Sequence, residues 1–274
     1  MPLLGTTRVA AVIGSPVRHS RSPLLANAAF LAAGLDWAMV ALEVAPGAAP
    51  AAIDATRTLG LGGLMVTMPH KADVIPALDR LTPAAAALAA VNSVAWEGDD
   101  LVGDNTDGPG LVASLRGDDI DPAGLRCAVL GAGGAARSVI WALAAAGAVE
   151  VVVVNRSAGR AAAAAVLAGS SGRVGAAADV AAADLVVNAT SVGMGAQSGA
   201  EGPMPVPAEL LGPHQLVVDL VYQPLVTPFL RAAAARGARP VDGLGMLVHQ
   251  AALSVERWTG CVADTEAMTA AARA

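Results

Sequence analysis

The stretch Arg126-Cys127-Ala128-Val129-Leu130-Gly131-Ala132-Gly133-Gly134-Ala135-Ala136 decides the architecture of this chain. Residues 126–130 read as a mostly apolar strand, and the glycines follow it with no spacer. A helix to about Ala146 and a second apolar strand, Glu150–Val154, complete a strand–loop–helix–strand unit. In that setting the glycines allow a tight turn and close backbone approach, and Ala136 fills the last position of the G-x-G-x-x-G/A pattern. The helix N-terminus behind them offers N–H groups and a positive dipole end to a pyrophosphate. A dinucleotide site is expected at Gly131, Ala132, Gly133, Gly134, Ala135 and Ala136.

The kind of dinucleotide follows from the end of the next strand. An NAD site places a carboxylate about 20 residues after the glycines, where it holds the ribose 2′-hydroxyl. Here the strand ends in Asn155-Arg156-Ser157, with Arg160 three residues on. A carboxylate would repel a 2′-phosphate, whereas arginine and hydroxyl groups bind it through charge-assisted hydrogen bonds. NADP is the expected cofactor.

Outward from this unit, strands and helices alternate along the whole chain, which points to an α/β protein with parallel sheet covered on both faces. The first third reads as strand Arg8–Ile13, a helix from about Pro23 to Ala33 capped by Ser22, and strand Trp37–Val44. A short helix to Leu59 and a buried strand at 62–67 follow. Thr82-Pro83 opens an Ala-rich helix, and Gly98-Asp99-Asp100 joins a hairpin. A helix from Asp107 then leads into 116–124, an Asp/Gly/Pro-bearing stretch that is the expected domain boundary. Beyond Glu150–Val154 come a helix from Ser157, strands at 184–188 and 215–221, a helix from Thr227, a short strand near Pro240 and a helix from Gly245.

Composition sets the outer limits. With 274 residues, 55 % hydrophobic and 15 % charged, the chain is long enough for two modest domains and too apolar for disorder. The longest apolar candidate, 139–154, is interrupted by Gly147 and Glu150 and reads as helix, turn and strand, not as a bilayer span. The N-terminal region lacks a signal-peptide layout, so a cytoplasmic protein is expected. A net charge of −6 without an acidic block suggests neither a nucleic-acid groove nor a membrane patch. Cys127 and Cys261 are isolated and the four histidines lack ligand spacing, so neither a disulfide nor a metal is expected. A homodimer is left open.

Of the 17 basic residues only Lys71 is a lysine. Exchange to arginine is nearly free on a solvated surface but not where a proton must move, because guanidinium stays charged and a buried ammonium can be tuned. Tyr222, the only tyrosine, stands out in the same way. Lys71 closes Val66-Thr67-Met68-Pro69-His70-Lys71, where a strand ends. The other polar segments are Gly14-Ser15-Pro16-Val17-Arg18-His19-Ser20-Arg21-Ser22-Pro23, Val91-Asn92-Ser93, Gly103-Asp104-Asn105-Thr106-Asp107-Gly108, Asp219-Leu220-Val221-Tyr222-Gln223-Pro224, and Gly243-Leu244-Gly245-Met246 continuing to His249-Gln250. Asn105 reads as a turn residue.

Taken together and in this order, these motifs resemble shikimate dehydrogenases, over nearly the whole chain from Gly14 to about Ala251. The resemblance implies an N-terminal α/β substrate domain (1–116), a Rossmann-like doubly wound NADP domain (117–243), and C-terminal helices returning to the first domain (244–274), with the active site in the cleft between the two domains. It further implies that Ser20 and Ser22 hold the substrate carboxylate. Thr67, Asn92 and Gln250 would bind its hydroxyls, Tyr222 would close over it, and Lys71 and Asp107 would form the catalytic pair in contact with it. Leu220, Gly243 and Met246 would line the nicotinamide end, with Asn188-Ala189-Thr190-Ser191 along the cofactor. Two positions depart from the family pattern: Met65 stands where asparagine is usual, and Ala26 stands where histidine is usual. The chemistry asks for such groups independently. Oxidation of a secondary alcohol needs a base for the hydroxyl proton, and a neighbouring carboxylate positions an amine and stabilises its charged form. The implied activity is reversible reduction of 3-dehydroshikimate to shikimate in the aromatic amino-acid pathway. The alternatives are a quinate/shikimate dehydrogenase with broader substrate or NAD use, against which Asn155-Arg156 argues, and a non-catalytic NADP-binding sensor, against which Lys71 and Asp107 argue.

Overall fold

The computed structural model describes residues 3–195 and 202–274. They fall into two compact units, one of residues 1–106 with 248–274 and the other of residues 107–247. In chain order the first unit contains β1 (Arg8–Gly14), α1 (Ser22–Ala32), β2 (Trp37–Glu43), α2 (Ala49–Leu59), β3 (Gly63–Val66), β4 (Arg80–Leu81), α3 (Pro83–Leu88), β5 (Ser93–Glu97) and β6 (Asp100–Asp104). The second contains α4 (Asp107–Gly117), β7 (Arg126–Leu130), α5 (Gly134–Ala145), β8 (Glu150–Val154), α6 (Ala158–Ala165), β9 (Gly172–Gly175), β10 (Leu185–Asn188), β11 (Leu216–Asp219), α7 (Pro228–Ala235) and β12 (Arg239–Val241). α8 (Leu244–Thr259) starts in the second unit and continues into the first, which α9 (Thr265–Arg273) completes.

The first unit is built on a mixed sheet of order β2-β1-β3-β5-β6-β4. β1 runs parallel to both β2 and β3, while β5 pairs antiparallel with β3 and β6 as the hairpin demands. One face packs Ala11, Ile13, Leu64, Val66 and Val94 against Ile53 of α2 and Ala85 of α3. On the strand holding Gly63, a Cβ at that position would meet the Trp258 indole at 2.3 Å, so α8 can lie against the sheet only over a glycine. The indole Nε1–H donates to the Val94 carbonyl at 2.9 Å.

The second unit carries an all-parallel sheet of order β12-β11-β10-β7-β8-β9, the strand order of a doubly wound dinucleotide fold. β7 shows why its strands read as unbroken apolar runs. Cys127 and Val129 face a core with Val139, Ile140 and Leu143 of α5, whereas Ala128 and Leu130 face one with Phe229 and Leu230 of α7. Burial pushes the Cys127 thiol up to about 12, with Asp184 adding in the same direction, so it stays a protonated core group.

The structure departs from the sequence expectations in four places. Ser22 does not cap α1: it is the first helical residue, Arg21 occupies the cap position, and no side chain caps the helix. The Ser22 N–H is taken instead by Ser20 Oγ at 3.3 Å, and Pro23 removes a further orphan donor. The division between units lies before α4, not at 116–124. The Gly108 N–H donates to Ser138 Oγ of α5 at 2.7 Å, and a Cβ at Gly108 would lie 2.1 Å from the Ser138 carbonyl, so α4 is packed into the second unit. The short strand β9 is half-exposed and lacks an apolar run, and α9 begins from an Asp264 cap that follows a brief break after α8.

Candidate active site

In the first unit, one edge of the sheet gathers the candidate substrate groups. β1 and β3 are adjacent and parallel, so the loops after them leave the same edge; β5 enters from that edge and β6 returns to it. The loop after β1 carries Ser20 and Ser22, the turn after β3 carries Thr67 and Lys71, Asn92 immediately precedes β5, and β6 runs out through Asn105 and Thr106 to Asp107, the first residue of α4. Backbone hydrogen bonds tie these segments together. Ser15 N–H donates to Met68 O at 3.0 Å, Val91 N–H to Lys71 O at 2.7 Å, and Asn92 N–H to Asp104 O at 2.9 Å. Gly14 suits this close approach, because a Cβ would lie 2.5 Å from Thr67 Cγ2 and 3.2 Å from the Met68 carbonyl oxygen.

Side chains finish the arrangement. Asn92 Oδ1 accepts from Thr106 N–H at 2.7 Å, and its Nδ2 donates to Thr106 Oγ1 at 3.0 Å and to Gln250 Oε1 at 3.5 Å. Thr106 Oγ1–H in turn donates to the Gln250 carbonyl at 3.0 Å, so α8 is keyed to the strand edge at the residue that presents Gln250. Sequence reasoning passed over Thr106, which ties Asn92 to α8 in this cluster. Its only signal was a small polar side chain beside Asp107, and its burial is a tertiary fact. Asn105 holds the turn, its Nδ2 donating to Ala90 O at 3.0 Å. Ser20, Ser22 and Lys71 are half-buried, and the Ser22 hydroxyl makes no hydrogen bond to any described residue.

In the second unit, the candidate cofactor groups line the carboxyl ends of β7, β8, β10 and β11, where the doubly wound fold binds its ligands. Gly131 has φ +116°, and a Cβ there would sit 3.0 Å from the Ala189 carbonyl and 3.2 Å from Thr190 Cγ2. Gly133 and Gly134 differ: nothing lies within 4 Å of their notional Cβ atoms, so the protein itself leaves that space open above a helix whose start has no side-chain cap. An open cradle on bare N–H groups fits a pyrophosphate. After β8, Ser157 Oγ caps α6 by accepting from Arg160 N–H at 3.4 Å, and Asn155 Nδ2 donates to Ser157 O at 3.1 Å. Arg156 and Arg160 are exposed, and among the described residues neither is paired with a carboxylate. Two solvent-facing guanidiniums at this strand end suit a 2′-phosphate.

Leu220, Gly243 and Met246 come together: a Cβ on Gly243 would lie 2.6 Å from the Leu220 carbonyl, and Leu220 and Met246 pack on the same core. Thr190 is held by Asn188, whose Oδ1 accepts from the Thr190 N–H at 3.1 Å and hydroxyl at 2.7 Å. Ser191 is exposed beside it. Tyr222 is half-buried, with a hydroxyl that makes no hydrogen bond to a described residue.

Comparison with known proteins decides the lineage. The model for the shikimate dehydrogenase substrate binding domain matches residues 12–94, and that for the shikimate 5′-dehydrogenase C-terminal domain matches residues 243–273. The NADP(+) shikimate dehydrogenase of Geobacter metallireducens is 45% identical over 272 residues, covering 95% of this chain and 94% of its own. The chain belongs to the shikimate dehydrogenase family. A crystal structure of the Thermus thermophilus shikimate 5-dehydrogenase in complex with NADP(H) and shikimate superposes with a TM-score of 0.89 at 39% identity, over 97% of this chain and 98% of that one. The quinate dehydrogenase of Corynebacterium glutamicum, in complex with NAD, shares the fold at TM-score 0.87 and 30% identity, over 97% of this chain and 99% of that one. This family member therefore has the α/β architecture of NADP-dependent oxidoreductases that act on shikimate. Among its described residues no helix is long and apolar enough to cross a membrane.

Proposed function

We propose that the chain catalyses the reversible oxidation of shikimate to 3-dehydroshikimate with NADP, using Lys71 and Asp107 as its acid–base pair. The observation that supports this reading is the one sheet edge from which the segments carrying Ser20, Ser22, Thr67, Asn92 and Lys71, the only lysine of the chain, all emerge, with Gln250 bonded to Asn92. These are the small polar groups that a polyhydroxylated carboxylate requires. When bound, NADP supplies the hydride acceptor. Lys71 takes up the hydroxyl proton and later passes it to water, and Asp107 serves as its partner in that transfer. Ser20 and Ser22 donate hydroxyl hydrogens to the carboxylate: Ser20 Oγ spends only an acceptor position on Ser22 N–H, which leaves its O–H free to point outward.

Preference for NADP over NAD is supported by Arg156 and Arg160 at the end of β8, neither paired with a carboxylate among the described residues. The two cysteines, Cys127 and Cys261, are both free thiols, which supports a cytoplasmic setting. The deciding assay measures reduced-cofactor formation from shikimate and from quinate, each with NADP and with NAD. Shikimate with NADP is expected to give a kcat/KM at least about tenfold above quinate, because a pocket without a partner for the extra hydroxyl of quinate pays a desolvation cost of about 1–3 kcal/mol. Quinate with NAD matching shikimate with NADP sinks the reading.

A further inference from the structure

Among the described residues Asp219 is the only fully buried carboxylate, and the reaction as drawn gives it no task. It ends β11 beside Asn188, which ends β10, the two residues being register partners. Asp219 Oδ1 accepts from Asn188 Nδ2 at 2.8 Å and from Val221 N–H at 3.1 Å, and Oδ2 accepts from the Thr227 hydroxyl at 2.7 Å. No cation pairs with it among the described residues. Burial pushes its carboxyl above the ordinary range, while the hydrogen bonds from Thr227, Val221 and Asn188 pull the other way.

The partners show what such a costly group holds. Asn188 fixes the loop along the cofactor: besides Thr190, it engages Val192, its Nδ2 donating to the Val192 carbonyl at 3.2 Å. Val221 and Thr227 bracket the segment 220–227, which carries Leu220 and Tyr222, and Thr227 also caps α7 by accepting from Leu230 N–H at 3.2 Å. One carboxylate thus touches both loops, and hydrogen bonds in this network leave little freedom to move one loop without the other.

We propose that Asp219 is a positioning residue that joins the cofactor loop 188–192 to the segment 220–227, so that filling the cofactor site sets Tyr222 for the substrate. This rests on the assignment of Thr190 to cofactor and of Tyr222 to substrate given above. Its consequence is a coupling between the two ligands, and such couplings run from about 5- to 150-fold.

Calorimetric titration of shikimate with and without NADPH, a pair that cannot react, reads the coupling directly. In the unmodified protein shikimate should bind at least about fivefold tighter when NADPH is present. Asp219→Ala should bring that ratio to within about twofold of one while circular dichroism shows a folded chain. Asp219→Asn should preserve the ratio, because its amide oxygen can accept from Asn188 and Val221 and its NH2 can donate to Thr227 Oγ1. Should Asp219→Ala fail to fold, Thr227→Val carries the same test, since it releases the far end of the 220–227 segment from Asp219 Oδ2 and leaves the Asn188 and Val221 contacts in place. A ratio of one in the unmodified protein, or a ratio that survives Asp219→Ala or Thr227→Val, overturns the proposal. Tyr222→Phe tests the underlying assignment separately: an unchanged shikimate Kd removes the tyrosine from the substrate site, whereas a raised Kd beside a surviving ratio in Asp219→Ala overturns the coupling alone.

Discussion

Lys71 and Arg156 are the two residues whose charge chemistry the reaction uses most specifically. Lys71→Ala is expected to lower kcat by about 10²–10⁴-fold, the usual worth of a positioned acid–base group, with KM for shikimate changed far less. Lys71→Arg should fail to a similar degree because it retains charge but cannot release the proton. Near-normal turnover of purified Lys71→Arg, followed by the absorbance of the reduced nicotinamide, is the result that removes the role. Removing Arg156 should weaken NADP by roughly 10- to 150-fold, equivalent to about 1.5–3 kcal/mol, and leave NAD nearly untouched. Equal losses for both cofactors in a binding titration would give Arg156 a structural role. Asp219 adds a pH signature. Its folded-state pKa lies above the ordinary value, so between the two the native state holds a proton that the unfolded chain has lost. Its contribution to stability therefore rises as pH falls through the raised pKa and is fully present below the ordinary one. Urea unfolding at two pH values spanning that window should show this slope in the unmodified protein and its loss in Asp219→Asn.

At the scale of elements, two glycines and one tryptophan determine how helices meet sheets. Gly108 lets α4 lie against α5, and Gly63 lets the end of α8 lie on β3. Trp258 fills the second of these contacts and satisfies the Val94 carbonyl. Trp258→Ala should cost about 3–5 kcal/mol, the range for deleting a large buried aromatic side chain. Because α8 also presents Gln250, shikimate KM should rise even at temperatures where the variant is fully folded. Chemical denaturation with parallel kinetics checks both, and a stability loss with no change in KM would detach Gln250 from the substrate. Arg257 reinforces the same docking by bridging Asp104 at 2.5 Å and Glu97 at 2.6 Å, both on the β5–β6 hairpin.

For the molecule as a whole, the C-terminal segment provides the most informative cut. α9 buries Met268 and Ala272, and the Ala272 carbonyl at its end accepts from the Arg21 guanidinium, the residue between Ser20 and Ser22. A cation at a helix C-terminus is also favoured by the helix dipole. Ending the chain after Gly260 should therefore raise KM for shikimate several-fold through the loosened serine loop. NADPH affinity should stay within about twofold, because its candidate residues all belong to the other unit. Parallel loss of both affinities in calorimetry would mean that the segment supports global folding instead.

Local chemistry made much of this protein readable without coordinates. The run 126–136 announces a parallel strand, a phosphate-binding turn and a helix because both faces of such a strand must be apolar and only glycine tolerates Gly131's φ of +116°. Thr82 and Thr227 cap α3 and α7 where a Thr-Pro pair predicts a helix start, with Oγ1 accepting at 3.3 and 3.2 Å. Lys71 and Tyr222 were conspicuous as single members of their residue types. Other features depended on partners far away in the chain. Ser22 looked like a cap, and only Ser20 Oγ taking its N–H changes that role. Gly63 and Gly108 carry no signal of the Trp258 indole or the Ser138 carbonyl that exclude a side chain there. The Asn92–Thr106–Gln250 cluster and the Asn188–Asp219–Thr227 cluster join residues separated by up to 158 positions, and a hydrogen bond across that distance is specified by sheet register and helix docking, which no local pattern encodes.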